Sequence, residues 1–171
     1  MNIYAVVVLY NCKIEDSETI NSLKESFYLK SECFNDFSLM IYDNSKVNKN
    51  ESFVIPFKYK YFHDPSNSGL ASAYNSALDD SSAKSKGWML LLDQDSLLPL
   101  SFISQLNNEI NSLNNNKEVL SIVPKMYHND IFFSPSKVLY GGTMRPINEK
   151  FNGIGAGKLN PDGSLVQVGT N

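Results

Sequence analysis

Two carboxylates one residue apart, Asp93 and Asp95, close the apolar segment Trp88-Met89-Leu90-Leu91-Leu92. At that spacing both can reach a common point, and together they repel unless a cation sits between them. Mg²⁺ or Mn²⁺ is the natural candidate. Such ions favour oxygen ligands, and Mg²⁺ typically takes one or two carboxylates plus substrate phosphates. The chemistry this allows is neutralisation of a diphosphate leaving group as a bond to it breaks. A bare Asp-x-Asp is also what a solvated turn looks like, with Asp95 or Ser96 capping whatever follows. The Leu-Leu-Leu run before it and the polar segments elsewhere favour the metal.

Those segments have to be brought to the carboxylates by regular elements. Ile3 to Tyr10 is almost continuously apolar and rich in β-branched residues, the pattern of a strand buried on both faces of a helix-covered parallel sheet. Asp16-Ser17 can cap a helix that carries Ile20, Leu23 and Phe27 and runs to about Ser31. Phe37 to Tyr42 predicts a second strand, Lys58 to Phe62 a short third, and Trp88 to Leu92 a fourth. Between the last two, the turn signal Asp64-Pro65-Ser66-Asn67-Ser68-Gly69 leads into a helix of small residues from Leu70 to Leu78. Ser101 can cap a helix with Ile103, Leu106, Ile110 and Leu113 on one face, and Val119 to Val123 reads as a strand stopped by Pro124. The alternation predicts an α/β fold, a sandwich of helices around a mostly parallel sheet. Beyond Pro124 the pattern weakens into short strands or loops interrupted by Gly141-Gly142 and the Gly153 to Gly157 segment. Asn160-Pro161-Asp162-Gly163 reads as a turn, and Leu165 to Val168 as a strand.

In such a sheet the strands end along one edge, and ligands bind in the crevice outside those carboxyl ends. Asn11, Asp43 and Asp93 each directly follow a strand, so distant segments should converge there. Asp43 has two readings: a contact to a nucleobase or ribose, or a turn shaped with Asn44 and Ser45. In Asn67-Ser68-Gly69-Leu70-Ala71-Ser72-Ala73-Tyr74-Asn75, Gly69 and the small residues let a helix start approach a ligand, where free N–H groups favour acceptor groups. Asn75 lies one turn beyond Ala71 and either faces that ligand or belongs to an ordinary capped helix. Ala73 is better read as packing. His63 and His128 have no second histidine or cysteine at zinc-ligand spacing. Cys12 reads as space-filling; Lys125 and Arg145 have two readings, contacts to phosphates or, as the default, solvated surface cations.

Composition narrows the classes. A chain of 171 residues is long enough for one domain with a substantial core. Its net charge of −3 argues against a nucleic-acid partner. No run approaches the ~20 apolar residues that span a bilayer, and the N-terminus lacks the basic start of a secretory signal. Cys12 and Cys33 match neither a disulfide framework nor a metal motif, which suggests a reducing compartment and hence the cytoplasm.

Four motifs in order carry a resemblance: Tyr10-Asn11 after the first strand, Tyr42-Asp43-Asn44-Ser45, Asn67-Ser68-Gly69-Leu70-Ala71 with Asn75, and Leu91-Leu92-Asp93-Gln94-Asp95-Ser96. The series resembles family 2 of the inverting glycosyltransferases, with the GT-A fold, and its Asp-Gln-Asp-Ser form is similar to the rhamnosyltransferase branch. The resemblance covers about residues 3 to 125. It implies a donor-binding subdomain over residues 1–125 and the start of an acceptor-side region over 126–171. Tyr10, Asn11, Asp43, Asn67, Gly69 and Asn75 would then line the nucleotide pocket. Asp93 would contact ribose or metal, and Asp95 would hold Mg²⁺ or Mn²⁺ on the diphosphate. The implied donor is a dTDP- or UDP-linked sugar, rhamnose among them. The acceptor would be a saccharide or a lipid-linked sugar, which allows peripheral association with the inner face of the membrane. Inverting enzymes of this family use a carboxylate as general base, in an acidic segment well beyond the metal motif. Glu109, Glu118, Asp130, Glu149 and Asp162 do not form one, and the sequence stops at Gly169-Thr170-Asn171, just after a strand-like run. A fold incomplete at its C-terminus is therefore expected, with the catalytic base beyond Asn171. Donor binding would be retained and transfer poor. The alternatives are a non-catalytic sugar-nucleotide-binding module and a nucleotidyltransferase. The latter is disfavoured because Asn11-Cys12-Lys13-Ile14-Glu15 lacks the glycine-rich loop that holds a triphosphate.

Overall fold

A computed structural model of the protein describes residues 2–50, 52–82 and 87–113, and beyond them 121–122, 124, 126–128, 131–134, 136–138, 144–146 and 154–155. The chain forms two compact units, 1–110 and 111–171. These divide it by compactness, whereas the division after residue 125 follows the extent of the motifs.

The first unit is built on four strands: β1 (Ile3–Leu9), β2 (Phe37–Asp43), β3 (Tyr59–His63) and β4 (Trp88–Asp93). They pair in the order β3-β2-β1-β4, and every pairing is parallel. The helices α1 (Glu18–Leu29), α2 (Leu70–Ser82) and α3 (Phe102–Ser112) flank this sheet. The α/β arrangement expected from the apolar runs is the observed one. Short 3-10 turns at Ile14–Asp16 and Ser31–Phe34 bracket α1. They were not legible in the periodicity, because a single turn carries no repeat.

β1 is the centre. Ile3, Ala5, Val6, Val7, Val8 and Leu9 are all buried, on both faces. On one face Val6 and Val8 join Met40 and Tyr42 of β2 and pack against Ala73 and Ala77 of α2. Small side chains at these two helix positions, one turn apart, let the helix approach the sheet closely. On the other face Leu39 and Ile41 of β2 are buried, with Ile20 and Leu23 of α1 and Ile103 and Ile110 of α3 also in the core. An aromatic cluster ties α1 to β2: Phe27 meets Phe34 and Phe57, and both of these meet Phe37, with ring centroids 5.0–5.8 Å apart. Such contacts add to the area they bury.

β4 is less enclosed than its apolar sequence suggests. Only Leu92 is buried, and Leu91 is 40% exposed. Pairing along one side only, with β1, explains this: the described part of the sheet ends there. β3, at the opposite end, is exposed for the same reason, although Phe62 stacks on Tyr42 at 5.0 Å.

In the second unit the described strands are short: β5 (Ser121–Ile122), β6 (Met126–His128), β7 (Ile131–Ser134), β8 (Ser136–Val138), β9 (Met144–Pro146) and β10 (Ile154–Gly155). They pair antiparallel as β5 with β10, β6 with β7 and β8 with β9. The expected turn at 160–163, the strand at 165–168 and the final residue Asn171 lie outside the described residues.

Gly87, immediately before β4, is under a steric constraint. A Cβ there would meet the carbonyl oxygen of Asn2 at 2.5 Å, the same oxygen that accepts the Trp88 N–H at 2.9 Å. Gly87→Ala is therefore expected to lower the unfolding free energy by about 1–3 kcal/mol, measured by urea denaturation.

Candidate functional site

Sheet register decides which side chains meet. Paired residues of a parallel ladder point to the same face, and successive residues alternate. Val8 pairs with both Tyr42 and Asp93. All three therefore look toward α2, and so does the next residue of that parity in each chain, Tyr10 and Asn44. Leu9 pairs with Asp43 and looks the other way. The cleft follows this rule. It has a volume of about 440 Å³ and is lined by Val8, Tyr10, Asn44, Asn67, Gly69, Leu70, Asp93, Gln94 and Asp95. It lies between the ends of β1 and β4, where the chain, having built β2 and β3 on one side of β1, crosses to the other. That is the topological switch point, the usual ligand position in an open α/β sheet.

Of the residues expected in the site, Tyr10, Asn67, Gly69, Asp93 and Asp95 line this cleft. Asn11, Asp43 and Asn75 do not. Asp43 is fully buried, and both its oxygens are engaged. Oδ1 accepts the Ser45 N–H at 2.9 Å, and Oδ2 accepts from Asn50 Nδ2 at 2.9 Å and Tyr61 Oη at 2.8 Å. Of its two readings, the turn-shaping one describes this geometry. Burial, and then the Asp43 carboxylate, push the Tyr61 hydroxyl up to about 12, so it stays a donor. Asn50 also accepts the Ile14 N–H at 2.7 Å, which ties the loop after β2 to the start of α1. Asn11 holds a left-handed backbone, φ 52°, and donates its N–H to Ser45 Oγ at 2.9 Å. Asn75 is exposed on α2. His63 ends β3 with Nε2 at 2.7 Å from the Ser45 carbonyl. Burial, and then Asp16, Asp43 and Asp95, raise the Cys12 thiol, which keeps it from being a thiolate nucleophile. Arg145 and His128 belong to the second unit, and Lys125 lies outside the described residues. The catalytic base expected beyond Asn171 also falls outside the described residues, which end at Gly155.

The turn before α2 is held by Asp64. Its carboxylate accepts from the hydroxyls and N–H groups of Ser66 and Ser68, and from Tyr42 Oη at 3.1 Å. The serine hydroxyls are the main reason its carboxyl sits well below the usual carboxylate range. This turn sets Asn67 at φ 51° and Gly69 at φ 88°, so the helix start is presented to the cleft. Only glycine adopts the second value without strain.

Four lining residues escaped the sequence reading: Val8, Asn44, Leu70 and Gln94. Gln94, between the two acids, accepts the Tyr10 N–H on Oε1 at 2.8 Å and joins the ends of β1 and β4. Val8 forms part of the wall. Asn44 is 3% exposed, and its Oδ1 has no partner among the described residues. A buried acceptor left open costs free energy, and this one borders the cleft. Strand alternation applied one residue past Asp43 would have found Asn44.

Asp93 and Asp95 are both exposed, and their carboxylates have no hydrogen-bond or ion-pair partner among the described residues. No group of three or more His, Cys, Asp or Glu side chains suited to a metal occurs among the described residues. Two unpaired carboxylates beside an open cleft fit a hard divalent ion that takes its remaining ligands from phosphate and water. Burial, and then the charge of Asp93, raise the Tyr74 hydroxyl on α2.

A four-stranded parallel sheet with flanking helices and a cleft at its switch point defines an α/β domain of GT-A-like arrangement. The sequence matches the model of glycosyl transferase family 2 over residues 4–163, and the chain belongs to that family. It is a glycosyltransferase chain whose family draws sugar from a nucleotide-sugar donor and passes it to an acceptor. No curated protein and no solved structure gives a significant match.

The depressed pKa of Asp64 has a signed consequence. A carboxyl depressed by folding contributes stability above its unfolded value, about pH 4, and loses it as pH falls through that value toward the folded one. Asp64→Asn is expected to unfold at a lower temperature than the wild type at pH 7, with the gap closing as thermal melts are taken from pH 5 to pH 2.

Proposed function

We propose that this chain binds a nucleoside-diphosphate sugar in the cleft, where Asp93 and Asp95 would hold Mg²⁺ or Mn²⁺ for the diphosphate. The observation that carries the reading is the pair of exposed, unpaired carboxylates on one wall of the switch-point cleft. The ion, when bound, would offset charge building on the diphosphate as the sugar leaves. The chain's own residues do the rest. Tyr10, 52% exposed, offers a ring to a base or ribose. Asn44 offers a buried acceptor, and Asn67 and Gly69 bring the start of α2 up to the ligand.

The donor is a dTDP- or UDP-linked sugar, with rhamnose suggested by the Asp-Gln-Asp-Ser form. Transfer goes with inversion to a saccharide or lipid-linked acceptor. No carboxylate other than Asp93 and Asp95 lines the cleft among the described residues, so the base that takes the acceptor's proton would come from elsewhere. No helix among the described residues is long and apolar enough to cross a membrane. We place the reaction in the cytoplasm, at or near the inner membrane face.

Calorimetric titration with UDP, dTDP and GDP, with and without Mn²⁺, tests the reading. UDP or dTDP should bind more tightly with Mn²⁺, and Asp95→Ala should weaken the Mn²⁺-supported affinity by about tenfold or more, near 1.4 kcal/mol. Binding that ignores the metal, or that survives Asp95→Ala at full strength, would sink the mechanism.

A further inference from the structure

The acidic loop has no regular structure of its own, yet its backbone is held throughout by one helix. α1 carries two adjacent stripes. Ile20, Leu23 and Phe27 are the apolar one; Thr19, Ser22 and Ser26 are spaced to share a face, with the capping Ser17 before them. All four hydroxyl residues are buried. Ser17 Oγ accepts the Ile20 N–H at 3.3 Å as the helix cap and donates to the Gln94 carbonyl at 2.7 Å. The Thr19 N–H points at that same carbonyl, at 3.4 Å. Thr19 Oγ1 donates to the Asp93 carbonyl at 2.5 Å, with the Ser96 carbonyl an alternative acceptor at 3.0 Å, and accepts the Ser96 N–H at 2.9 Å. Further along, Ser22 Oγ accepts the Leu98 N–H at 3.3 Å and Ser26 Oγ donates to the Leu100 carbonyl at 2.7 Å.

Hydroxyls are poor choices for a helix interior and costly to bury unpaired. Here each is matched to a backbone group that the irregular loop leaves without a partner. Thr19 is the centre of the set, because its single oxygen grips the chain at the carbonyl of the first acid, Asp93, and just past the second, at Ser96.

We propose that Thr19 is a positioning residue for the acidic pair: its hydroxyl, supported by Ser17, fixes the backbone from which the Asp93 and Asp95 carboxylates project and so sets their geometry toward a divalent ion. This rests on the metal-diphosphate reading of the cleft, and goes beyond it by assigning the control of that site to α1. Two carboxylates can share one small ion only if their separation is held closely, and the described residues provide no side-chain bond to either of them. Their placement therefore comes through the main chain.

The test compares UDP affinity with and without Mn²⁺ in wild type, Thr19→Val and Thr19→Ser, together with hydrogen exchange at the Ser96 amide. Valine keeps the branched shape and removes the hydroxyl. Thr19→Val should lower the ratio of Mn²⁺-supported to metal-free affinity by about tenfold, as loss of a ligand-orienting partner does. It should leave metal-free UDP binding near the wild-type value and expose the Ser96 amide to exchange. Thr19→Ser should restore both. Ser17→Ala, which removes the donor to Gln94, should give the same signature more weakly and serves if the valine variant does not fold. An unchanged ratio in a folded Thr19→Val protein would overturn the proposal, as would a parallel fall in metal-free and Mn²⁺-supported binding, the mark of a merely structural role. A wild type with no Mn²⁺ effect would instead overturn the metal reading, and the positioning role with it.

Discussion

Strand β1 has no exposed face, and the rest of the first unit follows from that constraint. A strand buried on both sides needs cover on both sides, and parallel pairing to β2 and β4 demands crossover connections long enough to supply it. α1 makes one crossover and α2 the other, so the strands must run the same way and end at the same edge. The cleft is a by-product of this geometry: β1 is flanked by strands reached in opposite directions, and the two crossovers diverge between β1 and β4.

At that edge the backbone leaves regular structure, and its polar groups need other partners. The molecule meets the demand with side chains whose hydrogen-bonding capacity is used inward. Asp43, Asn50 and Tyr61 close the loop after β2. Asp64 closes the turn before α2, and the hydroxyls of α1 hold the loop after β4. The polar residues of the edge fall into two groups: those consumed in building loops and those left open to the cleft. Asp93, Asp95 and the Asn44 oxygen belong to the second group, and the proposed donor site is built on them for that reason.

Membership of glycosyl transferase family 2 and the GT-A-like sheet agree with one another and with the four motifs that suggested them. Those motifs are strand ends and a helix start, so they mark where the chain turns as much as what it binds. Asp43 and Asn75 show the difference. Both sit inside motif segments, yet the Asp43 carboxylate is spent on a buried turn, and Asn75 is exposed on α2 and not among the residues that line the cleft.

Much was legible in order and composition. The unbroken apolar run of β1 announced a doubly buried strand, Ile20, Leu23 and Phe27 announced α1, and Asp93 and Asp95 stood out because two acids after an apolar strand demand a reason. These signals are local, carried by residues within one or two turns of each other. Tertiary structure alone decided which polar residues of the edge face the cleft. That depends on register, which pairs Val8 with Asp93 and Leu9 with Asp43 and so sends the two acids to opposite faces of the sheet. It also decided the partner of the Thr19-Ser22-Ser26 stripe. The spacing shows a polar face on a helix, but its partners are backbone groups more than seventy residues away, and a backbone group leaves no mark in a sequence.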